Sequence, residues 1–229
     1  MELDIIARMH SSFPEKFGIP RQSGIVPQLS SHIVFEPKYR SADALRGLGG
    51  EDAFSHIWIL WQFSENAGSG WSPTVRPPRL GGNKRMGVFA TRSPFRPNPI
   101  GLSCVKIDRI EMTESVGPVI YVLGADLMDN TPIYDIKPYI PHIDAQRDAR
   151  GGFSESTALY RLDVDFPESL MKVLPLSLRE PLKEVLANDP RPAYHNDPER
   201  IYGFPFGNYE IKFKVDGLLL TVVDVQPTA

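Results

Sequence analysis

Short apolar stretches separated by Gly, Pro and Asp/Asn clusters fill the first two thirds of the chain, a texture of strands and tight connections. Residues 3–10 read as a strand, and residues 11–27 as a long loop punctuated by Pro14, Gly18, Pro20 and Gly24. Residues 41–48 suit one or two helical turns, with Ser41 as N-cap and Gly47 as stop. Residues 56–63 are almost continuously apolar and rich in Ile and Trp, as in a strand covered on both faces. Further strands are expected at 86–91, 102–112 and 119–127, the second alternating at Val105, Ile107 and Ile110. Near residue 150 the pattern changes. Residues 160–166 read as a short strand, and 168–187 have helical spacing broken by Pro175 and Pro181, which predicts two short helices. Residues 209–215 and 218–225 alternate on either side of Asp216-Gly217, the signature of a hairpin. The fold class that follows is mainly β, α+β overall: a mostly-β domain over residues 1–150, then a small α+β module over 151–229. Without βα repetition or a Gly-x-Gly-x-x-Gly turn, a doubly wound nucleotide fold is disfavoured.

Composition narrows the class further. With 229 residues, 41% hydrophobic, the chain can bury a core of ordinary size, so global disorder and fibrous folds are excluded. The apolar run at 57–61 is far short of the ~20 residues a membrane helix needs. The amino-terminal MELDIIARMH places acids before any apolar core, unlike a secretory leader, so a cytoplasmic protein is expected. Cys104 is the single cysteine, which leaves no internal disulfide or cysteine-based zinc site. A net charge of −3 argues against a wholly basic nucleic-acid coat. Yet Arg76, Arg79, Lys84, Arg85, Arg92 and Arg96 follow one another with no acid between them. One segment is therefore built to meet an anion.

That segment is the densest candidate for chemistry. Residues 76–104 set guanidinium groups among prolines, displaying them from a stiff backbone that suits phosphate or carboxylate. A merely solvated basic loop would not explain Gly81-Gly82, Gly101 and the Pro-Asn-Pro frame together. A second segment, residues 126–144, carries Asp126, Asp129 and Asp135 among apolar residues and prolines. Its oxygens can accept from a ligand, or simply build turns; EF-hand spacing is absent, so no metal is expected. A third, residues 17–24, presents Arg21 and Gln22 beyond Pro20. The five histidines show no ligand spacing, no Gly-x-Ser-x-Gly elbow surrounds Ser93 or Ser103, and Cys104 reads as a small buried hydrophobe.

The stretches KFGIPRQSG (16–24), ALRGL (44–48), FSHIWIL (54–60), VRPPRLGGNKRMGVFATRSPFRPNPIGLS (75–103), DLMDNTPIYDIKPYIPHID (126–144) and DPRPAY (189–194) occur in an order that resembles the TrmO family of tRNA adenosine N6-methyltransferases. They span nearly the whole chain, and the central one is highly specific. The resemblance implies a single-sheeted β-barrel, an S-adenosylmethionine cofactor and a homodimer with its site near the subunit interface. It also implies methylation of N6 on the purine just 3′ of the anticodon, position 37, in threonine tRNA already carrying a threonylcarbamoyl group there. Carried over, the donor should meet Pro20, Arg21, Gln22, Phe63, Ser64, Arg92, Leu102, Asp126, Leu127, Asp129, Asn130 and Thr131. Serine stands at 64 where the family commonly has histidine, and asparagine at 130 where it has glycine. Asparagine is among the side chains that best tolerate a left-handed turn.

Methyl transfer from a sulfonium to an amine is an in-line displacement that needs alignment and a proton acceptor rather than a metal. Asp126, Asp135 and Tyr139 are the candidate catalytic groups, with Asp129 a further carboxylate nearby; Asn98-Pro99-Ile100 matches the amide-proline loop of other adenine methyltransferases only in part. Spacing and resemblance together divide the cations. Arg21 and Arg92 would serve the donor, while Arg76, Arg79, Lys84, Arg85, Arg96 and Arg191 would contact tRNA phosphates. Phe95 could stack an anticodon-loop base or pack into the core. The alternative function is a tRNA- or nucleotide-binding β-barrel without chemistry; a hydrolase lacks any nucleophile or metal motif here.

Overall fold

The computed structural model describes residues 2–50, 52–68, 70–80, 84–157, 159–191 and 197–228. The strands of the first module are β1 (Ala7–His10), β2 (Ser30–Phe35), β3 (His56–Gln62), β4 (Thr74–Val75), β5 (Met86–Gly87), β6 (Ile100–Thr113), β7 (Gly117–Leu123) and β8 (Thr131–Pro138). Six of them close into an antiparallel barrel in the order β1-β2-β7-β6-β3-β8, while β4 and β5 form a separate ribbon. Closure leaves no edge unpaired, and a barrel this narrow fills with side chains instead of holding a channel. Alternate residues do the filling: Met9, Ile33, Ile57, Ile59, Ile120, Val122 and Ile133 are all fully buried.

Several sequence expectations shift here for identifiable reasons. The first strand runs only from Ala7 to His10, although Ile6 still donates to the carbonyl of Ile133 at 2.9 Å. The β3 strand buries Ile57, Ile59 and Trp61 and leaves Trp58 half-exposed, because what covers that outer face is local: Tyr139, and Asp144 of α1 (Pro141–Asp144), which accepts from the Trp58 indole at 3.1 Å. Residues 86–91 form two strand residues and then a 3₁₀ turn at Val88–Ala90 that buries Val88. The β7 strand stops at Leu123, before Gly124 in a left-handed conformation. The β8 strand lies within the segment 126–144 and tolerates two prolines. Pro132 pairs with β1 alone and Pro138 with β3 alone, so each proline has an open flank.

The second module contains β9 (Asp163–Asp165), α2 (Glu168–Met171), α3 (Leu176–Ala187), β10 (Tyr202–Phe206), β11 (Tyr209–Asp216) and β12 (Leu219–Pro227), with sheet order β10-β11-β12-β9. Two short helices form as expected, divided at Pro175, and α3 continues through Pro181, which is buried beside Leu182 and Val185; burial there offsets the missing hydrogen bond. The hairpin at Asp216-Gly217 forms as expected.

The two modules share a seam. Phe13, Val26 and Leu29, from the long loop between β1 and β2, are buried in the second module's core with Phe204, Phe206 and Phe213. Gly18 fixes how closely that loop approaches: its φ is +94°, and a β-carbon there would stand 2.5 Å from the Phe204 ring. The loop is thereby pinned to the second module at both ends, while Pro20, Arg21 and Gln22 in its middle face the barrel's cleft.

Candidate functional site

A cleft of about 500 Å³ opens at the barrel end where β3 finishes, β6 begins and β8 begins. Its base is Trp61, Gly101 and Leu102, with Asp126 from the segment after β7. Its walls are the loop at Pro20, Arg21 and Gln22, the turn from Phe63 through Ser64 to Asn66, and the proline-framed ribbon at Thr91, Arg92, Pro94 and Arg96. Trp61 and Phe63 lie ring against ring, 4.3 Å between centroids. The Phe63 backbone N–H donates to the Pro99 carbonyl at 2.9 Å, which fastens the turn to the ribbon.

A chain of hydrogen bonds ends on Asp126. The Trp61 indole N–H donates to Ser103 Oγ at 2.9 Å, and the Ser103 hydroxyl donates to Asp126 Oδ1 at 2.6 Å. Ser103 sits at a buried position of β6, where this pair satisfies its hydroxyl. Burial pushes the Asp126 carboxyl above its ordinary value; the Ser103 hydroxyl, the backbone N–H groups of Asp126 and Ser23, and the Arg92 guanidinium pull against it without cancelling it. Arg92 donates through Nη1 to the Gln22 side-chain oxygen, and the Gln22 amide donates to the Arg21 carbonyl. The cationic ribbon and the acidic turn therefore meet in one cleft.

Not every predicted site residue joins them. Of the donor set, Pro20, Arg21, Gln22, Phe63, Ser64, Arg92, Leu102, Asp126 and Thr131 line the cleft. Leu127 is buried in the barrel core and its carbonyl accepts from the Ser11 hydroxyl at 2.8 Å. Asp129 turns to a separate polar hollow, where it accepts the Ser11 N–H at 3.0 Å and lies 3.4 Å from His10. Asn130, at φ +61°, adopts the left-handed turn its identity allows, and its backbone and side-chain oxygens accept from Arg8. The turn between β7 and β8 thus sends Asp126 and Asp129 in different directions. Of the catalytic candidates, only Asp126 reaches the cleft. Asp135 pairs with Lys137 at 2.8 Å, and Tyr139 packs on Trp58 and His56.

The cations divide as well. Arg76, Lys84 and Arg85 are exposed, with Arg85 donating to Thr74 Oγ1 across the β4–β5 ribbon at 3.0 Å. Arg96 lines the cleft, and its guanidinium laces the ribbon by donating to the carbonyls of Thr91 and Ser93 at 3.0 and 3.1 Å. Arg191 is buried in an ion pair with Asp189, Nε to Oδ1 at 2.8 Å, and so is withheld from any phosphate. Gly81, Gly82, residues 192–194 of the DPRPAY stretch and His195 lie outside the described residues, as does the Arg79 side chain. Sequence reasoning missed Trp61 and passed over Ser103, which it weighed only as a nucleophile. The available signal was a serine at a core-facing position of an alternating strand, where a polar atom needs a partner. Among the described residues, no three His, Cys, Asp or Glu side chains gather as metal ligands, and no helix is long and apolar enough to cross a membrane.

The chain matches the family model of the tRNA-methyltransferase O N-terminal domain over residues 8–145 and that of the TrmO C-terminal domain over residues 158–228. It is 41% identical over 235 residues to the tRNA (adenine(37)-N6)-methyltransferase of Escherichia coli K12, covering 99% of this chain and 98% of that protein. The enzyme of the same name from Eikenella corrodens is 48% identical over 165 residues, 72% of this chain and 92% of its own length. The crystal structure of TrmO from Pseudomonas aeruginosa superposes with a TM-score of 0.77 at 31% identity, covering 99% of this chain and 98% of that one.

Proposed function

The chain belongs to the tRNA-methyltransferase O family, and on that premise we propose how its cleft serves an S-adenosylmethionine-dependent tRNA (adenine(37)-N6)-methyltransferase. The observation that carries the reading is a half-buried carboxylate with raised proton affinity, Asp126, in the same cleft as aromatic faces and the Arg92 cation. The residues present fit a nucleoside-bearing donor. The cleft volume of about 500 Å³ falls within the usual range for small-molecule sites, ~300–1,000 Å³. Trp61, Phe63 and Leu102 offer apolar surface, while Gln22, Arg92 and Thr131 offer polar contacts. Bound there, S-adenosylmethionine supplies an electrophilic methyl group.

The protein's part is alignment and proton transfer. N6 of adenine is a weak nucleophile because its lone pair is delocalised into the ring, and it must lose a proton as the new N–C bond forms. Asp126 takes that proton at its carboxylate, and Ser103 holds the carboxylate in place. Alignment of the methyl donor with N6 in the cleft can lower the barrier by ~7–11 kcal/mol. Leu127, Asp129 and Asn130 shape the turn that aims Asp126 and Thr131. Asp135 and Tyr139 take no step.

Arg76, Lys84 and Arg85, with Arg96 at the rim, form the surface that meets tRNA phosphates. Phe89 and Phe95 stand exposed among these cations, placed to stack unpaired bases. Removing one cation that meets a phosphate should flatten the dependence of tRNA binding on salt by ~0.7–0.9 log units per log unit of salt. Arg76→Ala with Arg85→Ala should show this in filter binding over a salt series; an unchanged slope would remove these two from the interface.

Family membership supports three finer features: a threonine tRNA bearing threonylcarbamoyl at the target purine, assembly as a homodimer, and work in the cytoplasm. Nucleoside mass spectrometry of threonine tRNA from a strain lacking the gene tests activity and site together. The N6 methyl group should disappear, return with the wild-type gene, and fail to return with Arg92→Ala. Full methylation in the deletion strain would overturn the reading.

A further inference from the structure

We infer that Asp189 of the C-terminal module is a positioning residue for the donor cleft, holding the Arg21–Gln22–Arg92 wall through a turn whose carbonyls Arg21 grips. The inference rests on the proposed reading of that cleft. Asp189 follows α3 and has φ +51°, a left-handed backbone that Asp adopts more readily than most residues with a β-carbon, though at some cost. Four hydrogen bonds enforce it. Its Oδ1 accepts the Arg191 backbone N–H at 3.3 Å and Nε at 2.8 Å; its Oδ2 accepts Arg191 Nη2 at 3.0 Å and the Tyr160 hydroxyl at 2.9 Å. With Pro190 between them, Asp189 and Arg191 make one rigid turn.

The turn directs two carbonyls toward the barrel. Arg21 Nη2 donates to the Asp189 carbonyl at 3.2 Å and to the Arg191 carbonyl at 3.1 Å. From Arg21 the path continues to the cleft: its own carbonyl accepts from the Gln22 amide, Gln22 accepts from Arg92, and Arg92 acts on Asp126. The loop packs on the second module's core through Phe17, Gly18 and Ile19. Beside that contact a cavity of about 250 Å³ lies between residues 16–21, Pro78 and residues 188–191, and the Arg21 guanidinium reaches the turn by hydrogen bonds. A buried ion pair adds little net stability against an apolar substitute. Its contribution at Asp189 is direction: it fixes where two carbonyls point, and so where the cleft's cation stands.

Calorimetry with S-adenosylmethionine on the full-length protein tests this. Asp189→Asn keeps the shape and removes the charge; it should weaken donor binding about tenfold, with tRNA affinity and its salt slope unchanged. Tyr160→Phe removes one bond to Asp189 and should weaken donor binding about twofold to threefold. In an Arg21→Ala background, Asp189→Asn should have no further effect on donor affinity, since both act through one link. A lower melting temperature with donor affinity intact, additive losses in the double variant, or a change confined to tRNA binding would each overturn the inference. If Asp189→Asn does not fold, Tyr160→Phe and its combination with Arg21→Ala decide the matter. Wild-type protein that fails to bind S-adenosylmethionine sinks the functional reading and takes this inference with it, whereas wild-type binding with unaltered variants sinks the inference alone.

Discussion

Asp126→Asn should slow methyl transfer by about 10²–10⁴-fold, the usual worth of a positioned proton acceptor, while leaving the fold at neutral pH as stable as the parent or more so. The two effects have one cause. Burial raises the proton affinity of Asp126 in the folded protein above that of the unfolded chain. A carboxyl shifted in this direction lends stability that is fully present below its unfolded value and is lost as pH rises through its folded value. At neutral pH the ionised group is therefore held at a cost, and the amide, which can still accept from Ser103, escapes it. Melting curves should show the variant level with or above the parent at neutral pH, with the difference closing or reversing in acid. The acid limb of the parent's rate profile should lie above the ordinary carboxylate range. Ser103→Ala removes a donor that favours the charged form, so it should move that limb further upward. Methyl transfer by Asp126→Asn within about tenfold of the parent would remove Asp126 from the proton path.

Much of this arrangement is legible in the sequence, and the parts that are not share a physical origin. Local signals work where local chemistry decides the outcome: Asp216-Gly217 makes its hairpin, Asn130 takes the left-handed turn, and Pro20 leads into the cleft wall. Charge order locates the ribbon, because a run of cations among prolines is visible in the sequence itself, and Arg92 and Arg96 do line the cleft. What stays hidden depends on which way a side chain points once distant strands meet. Asp126 and Asp129 are three residues apart and look alike in the sequence, yet one enters the cleft and the other faces His10 across a different hollow. Arg191 has the composition of a phosphate ligand and the position of a core residue, a difference set by Asp189 and by burial that only the folded module supplies. The β2 strand, SSHIVF, escapes sequence reasoning because serine and histidine fill half of it; its pairing with β1 and β7 comes from closure of the barrel, not from its own propensity.

Gly101→Ala should be the most destabilising single-carbon addition at the site, costing about 3 kcal/mol or more and lowering the melting temperature by roughly 6–12 °C for a chain of this size. Gly101 stands opposite Trp61 in the β3–β6 ladder, and a β-carbon on it would lie 2.2 Å from Trp61 Cε2 and 2.5 Å from Cζ2. The ring cannot simply slide away. Phe63 packs on it, and its N–H is bonded to Ser103, which in turn holds Asp126. Relieving the clash therefore breaks the hydrogen-bond chain that sets the proton acceptor, so stability, donor binding and the acid limb of the rate profile should all change together. Trp61→Phe placed in the Gly101→Ala background separates the parts. The smaller ring makes room for the methyl group and should recover much of the melting temperature, yet it has no N–H for Ser103, so the shifted acid limb should remain. If Gly101→Ala melts with the parent, the indole has somewhere else to go, and the account of Trp61 as the rigid base of the cleft fails with the role assigned to Ser103.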